Sequence, residues 1–295
     1  MTEQKIPRTQ RKYLNDFAVM IICHGRAENT PTYVTLRNYG YTGRIIIVCD
    51  DEDKDLPNYQ AIYPEVQVFS KQEVLKYTDP MDNKHDMRCA VYARNACFDI
   101  AEKEGIKYFA EFDDDYTTIP YRWEEDGVLY RSRGANLDDV FEAYIEFLET
   151  SDDIYSVAFG QPGDYIGGVG SRLHQMVYRR KCMNSWICKT DRRFTFNGTQ
   201  NDDCTTYCIE GSRGKLFLTF DGIMIDQPET QQVKGGMTDM YLGTGTYQKT
   251  WYTIMACPSF VKAGMMGDRH WRIHHSINHD SAYPMIISGR YKKER

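Results

Sequence analysis

The sequence has no run of eighteen uncharged apolar residues, and no apolar segment follows the basic residues of its start, MTEQKIPRTQRKYLNDF. The first absence speaks against an ordinary membrane-spanning helix and the second against secretion, so a cytoplasmic protein with no membrane partner is expected. No C-x-x-C pair occurs among the nine cysteines, and Cys23, Cys49, Cys89 and Cys97 fall inside apolar patterns, which favours free buried thiols over disulfides. Internal repeats and low-complexity tracts are also missing. Excess positive charge is absent too: a formal net charge of −6 speaks against a broadly basic, nucleic-acid-binding surface. Locally the balance reverses, because Arg172, Arg179, Arg180, Lys181, Lys189, Arg192 and Arg193 face a single acid, Asp191, within one segment. With 295 residues, 41% of them hydrophobic and 26% charged, the chain has the composition of a folded globular protein. A single α/β domain over 1–295 is expected.

What is present reads as alternating strands and helices. FAVMIIC (17–23) and RIIIVC (44–49) are apolar runs of strand length, as in central strands covered on both faces. Between them Thr30 is placed to cap a helix, Pro31 fits its first position and Gly40 its left-handed end. A third strand is expected at 65–69 and a helix at 87–104, closed by Gly105. IKYFAEF (106–112) then runs directly into Asp113-Asp114-Asp115. The segments 119–123 and 128–132 flank an Asp126-Gly127 turn and predict a hairpin. Asn136 caps a predicted helix over 137–149, and 154–160 reads as another strand. From about 161 to 185 and after 220 the pattern loosens. The Gly-rich stretch 159–171 reads either as a lid over a site or as an irregular loop.

Ligands of open α/β sheets bind beyond the carboxyl ends of the strands, which brings three places towards one crevice: His24-Gly25-Arg26, Asp50-Asp51 and Asp113–Asp115. Backbone N–H groups at His24 and Gly25 and the Arg26 guanidinium suit a uridine or a phosphate. Asp51, with Asp50 as the alternative, is placed to accept hydrogen bonds from a nucleoside. Asp113 and Asp115, one residue apart at a strand end, suit Mg²⁺ or Mn²⁺ bridging a diphosphate, with Asp114 beside them on the donor side. The plain alternative is a solvated acidic loop. Trp186 and Trp271 offer stacking surfaces for an acceptor, or simply core packing.

The order A-R-N helix (93–95), Gly105, apolar strand and D-x-D resembles the nucleotide-sugar domain of inverting GT-A glycosyltransferases. That resemblance implies Arg94 beside the diphosphate; pairing with a carboxylate under the sheet is the other reading. The combination HGRAENTPT, YTGRIIIVCDDEDKDLPNY, VYARNACFDIAEKEGIKYFAEFDDDY and RIHHSINHDSAYPMIISGRYKK resembles a narrower group, the TET-associated glycosyltransferases of bacteriophages. It implies a Rossmann-like GT-A fold with a central, mostly parallel sheet, its donor half at about 14–125 and its acceptor half at about 126–295. It implies a UDP-sugar donor, a divalent metal, and 5-hydroxymethylcytosine in DNA as acceptor, linked to a TET-type dioxygenase. By the same resemblance Asp203 or Asp202 is the catalytic base, a plain helix cap being the alternative, and His274 or His275 completes the metal shell. Arg179 and Arg180 join Trp186 on the acceptor side. Competing readings are a transferase for a polysaccharide or protein, a nucleotidyltransferase, and a DNA-binding module without turnover.

Overall fold

A computed structural model describes residues 11–84, 86–132, 136–162, 170, 184–227, 237, 240, 248–267 and 271–282. The expected positions Arg179 and Arg180 and most of the 159–171 stretch lie outside the described residues.

The expected strands form, and they pair as an α/β sheet. β1 (Phe17–Ile22) lies parallel between β2 (Arg44–Asp50) and β4 (Tyr108–Asp113), and β3 (Val66–Phe69) continues in parallel beyond β2. Ile22 faces Val48 on one side and Asp113 on the other, so three carboxyl ends finish nearly level. Alternate β1 residues enter opposite cores: Ala18, Met20 and Ile22 pack with one layer, Phe17, Val19 and Ile21 with the other. Every β1 residue is therefore buried, which is why the sequence shows a continuous apolar run instead of alternation.

Helices cover both faces. α1 (Pro31–Asn38), α2 (Leu56–Ile62) and α5 (Leu137–Leu148) contribute to one core, and α3 (Lys71–Leu75), α4 (Ala90–Lys103) and α6 (Asp202–Ser212) to the other. Gly40 (φ +83°) and Gly105 (φ +66°) take the left-handed conformation at the ends of α1 and α4. The Asn136 side chain accepts from the Asp138 amide, as the cap expectation required.

Beyond β4 the sheet becomes mixed. β8 (Ser185–Lys189) runs antiparallel to β4 and is followed by β7 (Ile154–Gly160) and β9 (Leu216–Met224), and then by the hairpin β5 (Tyr121–Glu125) and β6 (Val128–Ser132). Asp126 (φ 52°) and Gly127 (φ 75°) form its turn. α7 (Gln248–Ala256), the two-stranded pair β10 (Val261–Met266) and β11 (Arg272–Ile277), and α8 (His279–Ala282) pack against α6 and one another. The eight cysteines among the described residues are buried and form no disulfide with one another. Among the described residues no helix is long and apolar enough to cross a membrane.

Candidate active site

The loop after β1 is tied both to the loop after β2 and to the loop after β4. His24 Nδ1 lies 2.6 Å from Asp50 Oδ2, and the Gly25 amide donates to Asp53 Oδ2 at 2.9 Å. Arg26 donates from Nη1 to Asp114 Oδ1 at 2.8 Å, and its amide donates to the Tyr59 hydroxyl. Three segments expected to share one crevice thus meet in it. Thr32, in the first turn of α1, holds the acidic loop by donating to the Asp113 carbonyl and accepting from the Tyr116 amide.

At the first end of the crevice, Asp50 is 3% exposed while Asp51 is exposed, so the alternative acid is the one that meets His24. Asp51 instead accepts from the Lys71 amide. Lys71, buried, places Nζ 2.9 Å from Asp50 Oδ1. Burial opposes the charge on Asp50, but its bonds to His24 and Lys71 outweigh that and hold its carboxyl below the ordinary range. The bond to Asp50 raises His24 above the usual imidazole value. His24, Asp50 and Asp53 keep ligand atoms within 4.8 Å of one another, the one such trio among the described residues. The Lys71 ammonium already compensates this end.

The other end carries uncompensated acid. Arg94, fully enclosed on α4, donates from Nε to Asp202 (2.8 Å), from Nη1 to Glu111 (2.5 Å) and from Nη2 to Asp113 (3.0 Å). Of the two readings of Arg94, the pairing with carboxylates is present: each nitrogen of its guanidinium meets one, and the side chain is 4% exposed. One positive charge thereby serves three acids, with Asp115 and Asp203 nearby. Burial pushes Glu111 up to about 7 and Asp113 to about 6 despite Arg94. Burial likewise pushes Asp114 up to about 7 against the pull of Arg26, and raises Asp115 and Asp202. Asp115 Oδ1 is buried without a hydrogen-bond partner. An orphaned carboxylate oxygen inside a surplus of negative charge fits a hard divalent cation bound by Asp113 and Asp115.

The Glu111 shift makes a stability prediction. Its proton is held more tightly in the folded protein than in the unfolded chain, so this contribution is complete below pH 4.5 and lost as pH rises through about 7. In metal-free protein, Glu111→Gln is expected to gain stability relative to wild type between pH 5 and pH 8, read from urea midpoints. A difference that does not change with pH would refute the assignment.

The catalytic-base candidates open α6, and they are not equivalent. Asp202 is engaged by Arg94, whereas the Asp203 carboxylate, buried, has no hydrogen-bond or ion-pair partner among the described residues. Its charge acts on that of Asp113. His274 and His275 stack with ring centres 4.2 Å apart, and His275 Nδ1 faces the Asn201 amide at 3.3 Å. Neither histidine joins Asp113 and Asp115 in a ligand-distance cluster. Trp186 is corrected as an acceptor residue: it is 0% exposed, packed among Phe194, Phe196 and Phe217, and has no face for a base. Trp271 is 65% exposed.

Asp53, Lys71 and Glu111 were not singled out by sequence reasoning. Glu111 carried a signal, as the one acid inside an apolar strand; Lys71 carried none.

The site thus lies beyond the carboxyl ends of the parallel strands of an α/β sheet, with His24-Gly25-Arg26 after β1, acids at the ends of β2 and β4, and β8 reversed beside β4. Residues 17–236 match the family described as TET-Associated Glycosyltransferase, and the chain belongs to that family. Among solved structures, it is similar to glucosyl-3-phosphoglycerate synthase from Mycobacterium tuberculosis in complex with Mg²⁺ and UDP. That likeness is at 10% identity, covers 92% of this chain and 89% of the other, and has a TM-score of 0.46. A mannosyltransferase from Pyrobaculum calidifontis, in complex with GDP-Man and Mn²⁺, is similar at 10% identity over 87% and 76% of the two chains, with a TM-score of 0.45. A comparison with curated proteins finds no match.

Proposed function

We propose that this glycosyltransferase moves a sugar from a UDP-sugar to the hydroxymethyl group of 5-hydroxymethylcytosine in DNA. The observation that carries the donor side is the buried acid group around Arg94, with Asp115 Oδ1 unpartnered. The residues that would hold Mn²⁺ or Mg²⁺ are Asp113 and Asp115, and the cation would neutralise charge developing on the leaving diphosphate. His24, Asp50 and Asp53 line the nucleoside end, with the Gly25 turn and Arg26 between the two ends. Asp203 accepts the hydroxymethyl proton as that oxygen bonds to the anomeric carbon and the bond from that carbon to the diphosphate breaks, releasing UDP. The acceptor rests on the family: TET-type dioxygenases make 5-hydroxymethylcytosine, and its hydroxyl reaches a pocket once the base leaves the stack.

The test is mass spectrometry of nucleosides from 5-hydroxymethylcytosine DNA incubated with the protein, Mn²⁺ and a panel of UDP-sugars. A hexose or N-acetylhexosamine mass gain is expected, and Asp115→Ala should abolish it. UDP release without any gain on DNA would keep the transferase and discard the DNA acceptor.

A further inference from the structure

Asn201 precedes the two acids of α6 in the left-handed conformation, φ 57° and ψ 32°, a region that a side-chain-bearing residue enters at a cost. An asparagine at a helix start ordinarily accepts from the amides of the first turn, yet Asn201 makes no such bond. Its side chain turns the other way and donates from Nδ2 to Thr253 Oγ1 at 2.5 Å, with His275 Nδ1 at 3.3 Å. All three residues are buried. Thr253 Oγ1 also lies 3.0 Å from Thr205 Oγ1, and the Thr205 amide closes the first turn of α6 on the Asn201 carbonyl at 2.9 Å. One residue earlier on α7, the Tyr252 hydroxyl lies 2.9 Å from Thr199 Oγ1, and both bond to Asp82. Two consecutive side chains of α7 therefore grip the chain before and after Asp202-Asp203, at Thr199, Asn201 and Thr205.

This grip matters differently for the two acids. Asp202 has Arg94 to orient it, but Asp203 has no side-chain partner among the described residues, so its placement depends on the backbone that carries it. We propose that Asn201 is the positioning residue for Asp203, with its bond to Thr253, backed by His275, setting where that carboxylate stands against the Asp113–Asp115 end of the crevice. A rotation at Asn201 would release α6 from α7 and swing Asp203 away from its target. The inference rests on Asp203 being the base.

The experiment compares Asn201→Gly, Thr253→Val, Thr253→Ser and Asp203→Asn in steady-state transfer to 5-hydroxymethylcytosine DNA. Each is run at saturating Mn²⁺, with the UDP-sugar that gives the mass gain in wild type, alongside thermal midpoints. Glycine keeps the left-handed backbone but removes the tether, and valine removes only the hydroxyl. Both should lower kcat by about 10- to 100-fold with the donor KM within about twofold, as misplacement of a catalytic group does. Thr253→Ser should restore it, and the Asn201→Gly/Thr253→Val double variant should be no slower than the slower single one. Wild-type kcat in either tether variant overturns the proposal, as does a Thr253→Ser loss equal to that of valine, or failure of both tether variants to fold. An inactive Asp203→Asn beside active tether variants removes the positioning role alone. An active Asp203→Asn removes the base assignment and the positioning role with it.

Discussion

Asp203→Asn is expected to lower the rate of sugar transfer by about 100- to 10,000-fold, the range that a positioned general base contributes. The acceptor hydroxyl is a poor nucleophile with its proton attached, and asparagine matches the carboxylate in size but cannot take that proton. Because Asp203 has no hydrogen-bond or ion-pair partner among the described residues, the substitution breaks no contact among them. Donor KM and thermal midpoint should stay close to wild type, and the loss should appear in kcat. Asp202→Asn supplies the contrast: it weakens a bond to Arg94 at 2.8 Å and should reduce stability as well as rate. A kcat for Asp203→Asn within tenfold of wild type would rule out the base role.

Arg94→Met should have the largest effect on folding, a loss of about 3–5 kcal/mol, the usual cost of removing one partner from a buried ion pair. Methionine fills much of the volume but leaves Glu111, Asp113 and Asp202 facing one another with no counter-charge. Arg94→Lys should recover little. An ammonium is a point charge, whereas the planar guanidinium presents separate N–H groups to three carboxylates at once. The measurement is urea unfolding of metal-free protein at pH 8, where the acids are most fully ionised. A loss below 1 kcal/mol would mean that protonation of the acids, not Arg94, relieves the cluster. Mn²⁺ should protect wild type more than Asp115→Ala, since a ligand that binds only the native state stabilises it.

The parts of the site that could be read in advance are those written in local pattern. Gly40 and Gly105 end their helices, and Asp126-Gly127 makes its turn, because positive φ selects residue type at single positions. The acids of 113–115 sit at a strand end because the largely apolar stretch Tyr108–Phe112, broken by Glu111 alone, stops there. Less legible were β8 and β9. β8 is a short strand, and its antiparallel place beside β4 is a pairing across most of a hundred residues, from Tyr108 to Lys189. Lys71 escaped notice because a single lysine in an ordinary helical stretch becomes a counter-ion only when β2 ends beside it.

By itself, then, the sequence determined the N-terminal strands and the turns and helix ends between them, since apolar periodicity and turn chemistry act over a few residues, and its longer motifs carried the family. Tertiary structure alone decided which charges meet. Arg94 finds Asp202 108 positions away and Asn201 finds Thr253 52 positions away. Asp50 is buried where its neighbour Asp51 is exposed, and Trp186 is sealed in the core. The physical reason is common to all four: a charged, amide or indole side chain is the same in sequence whether it faces water, a ligand or another residue, and only packing the sheet between its helices removes the water and names the partner.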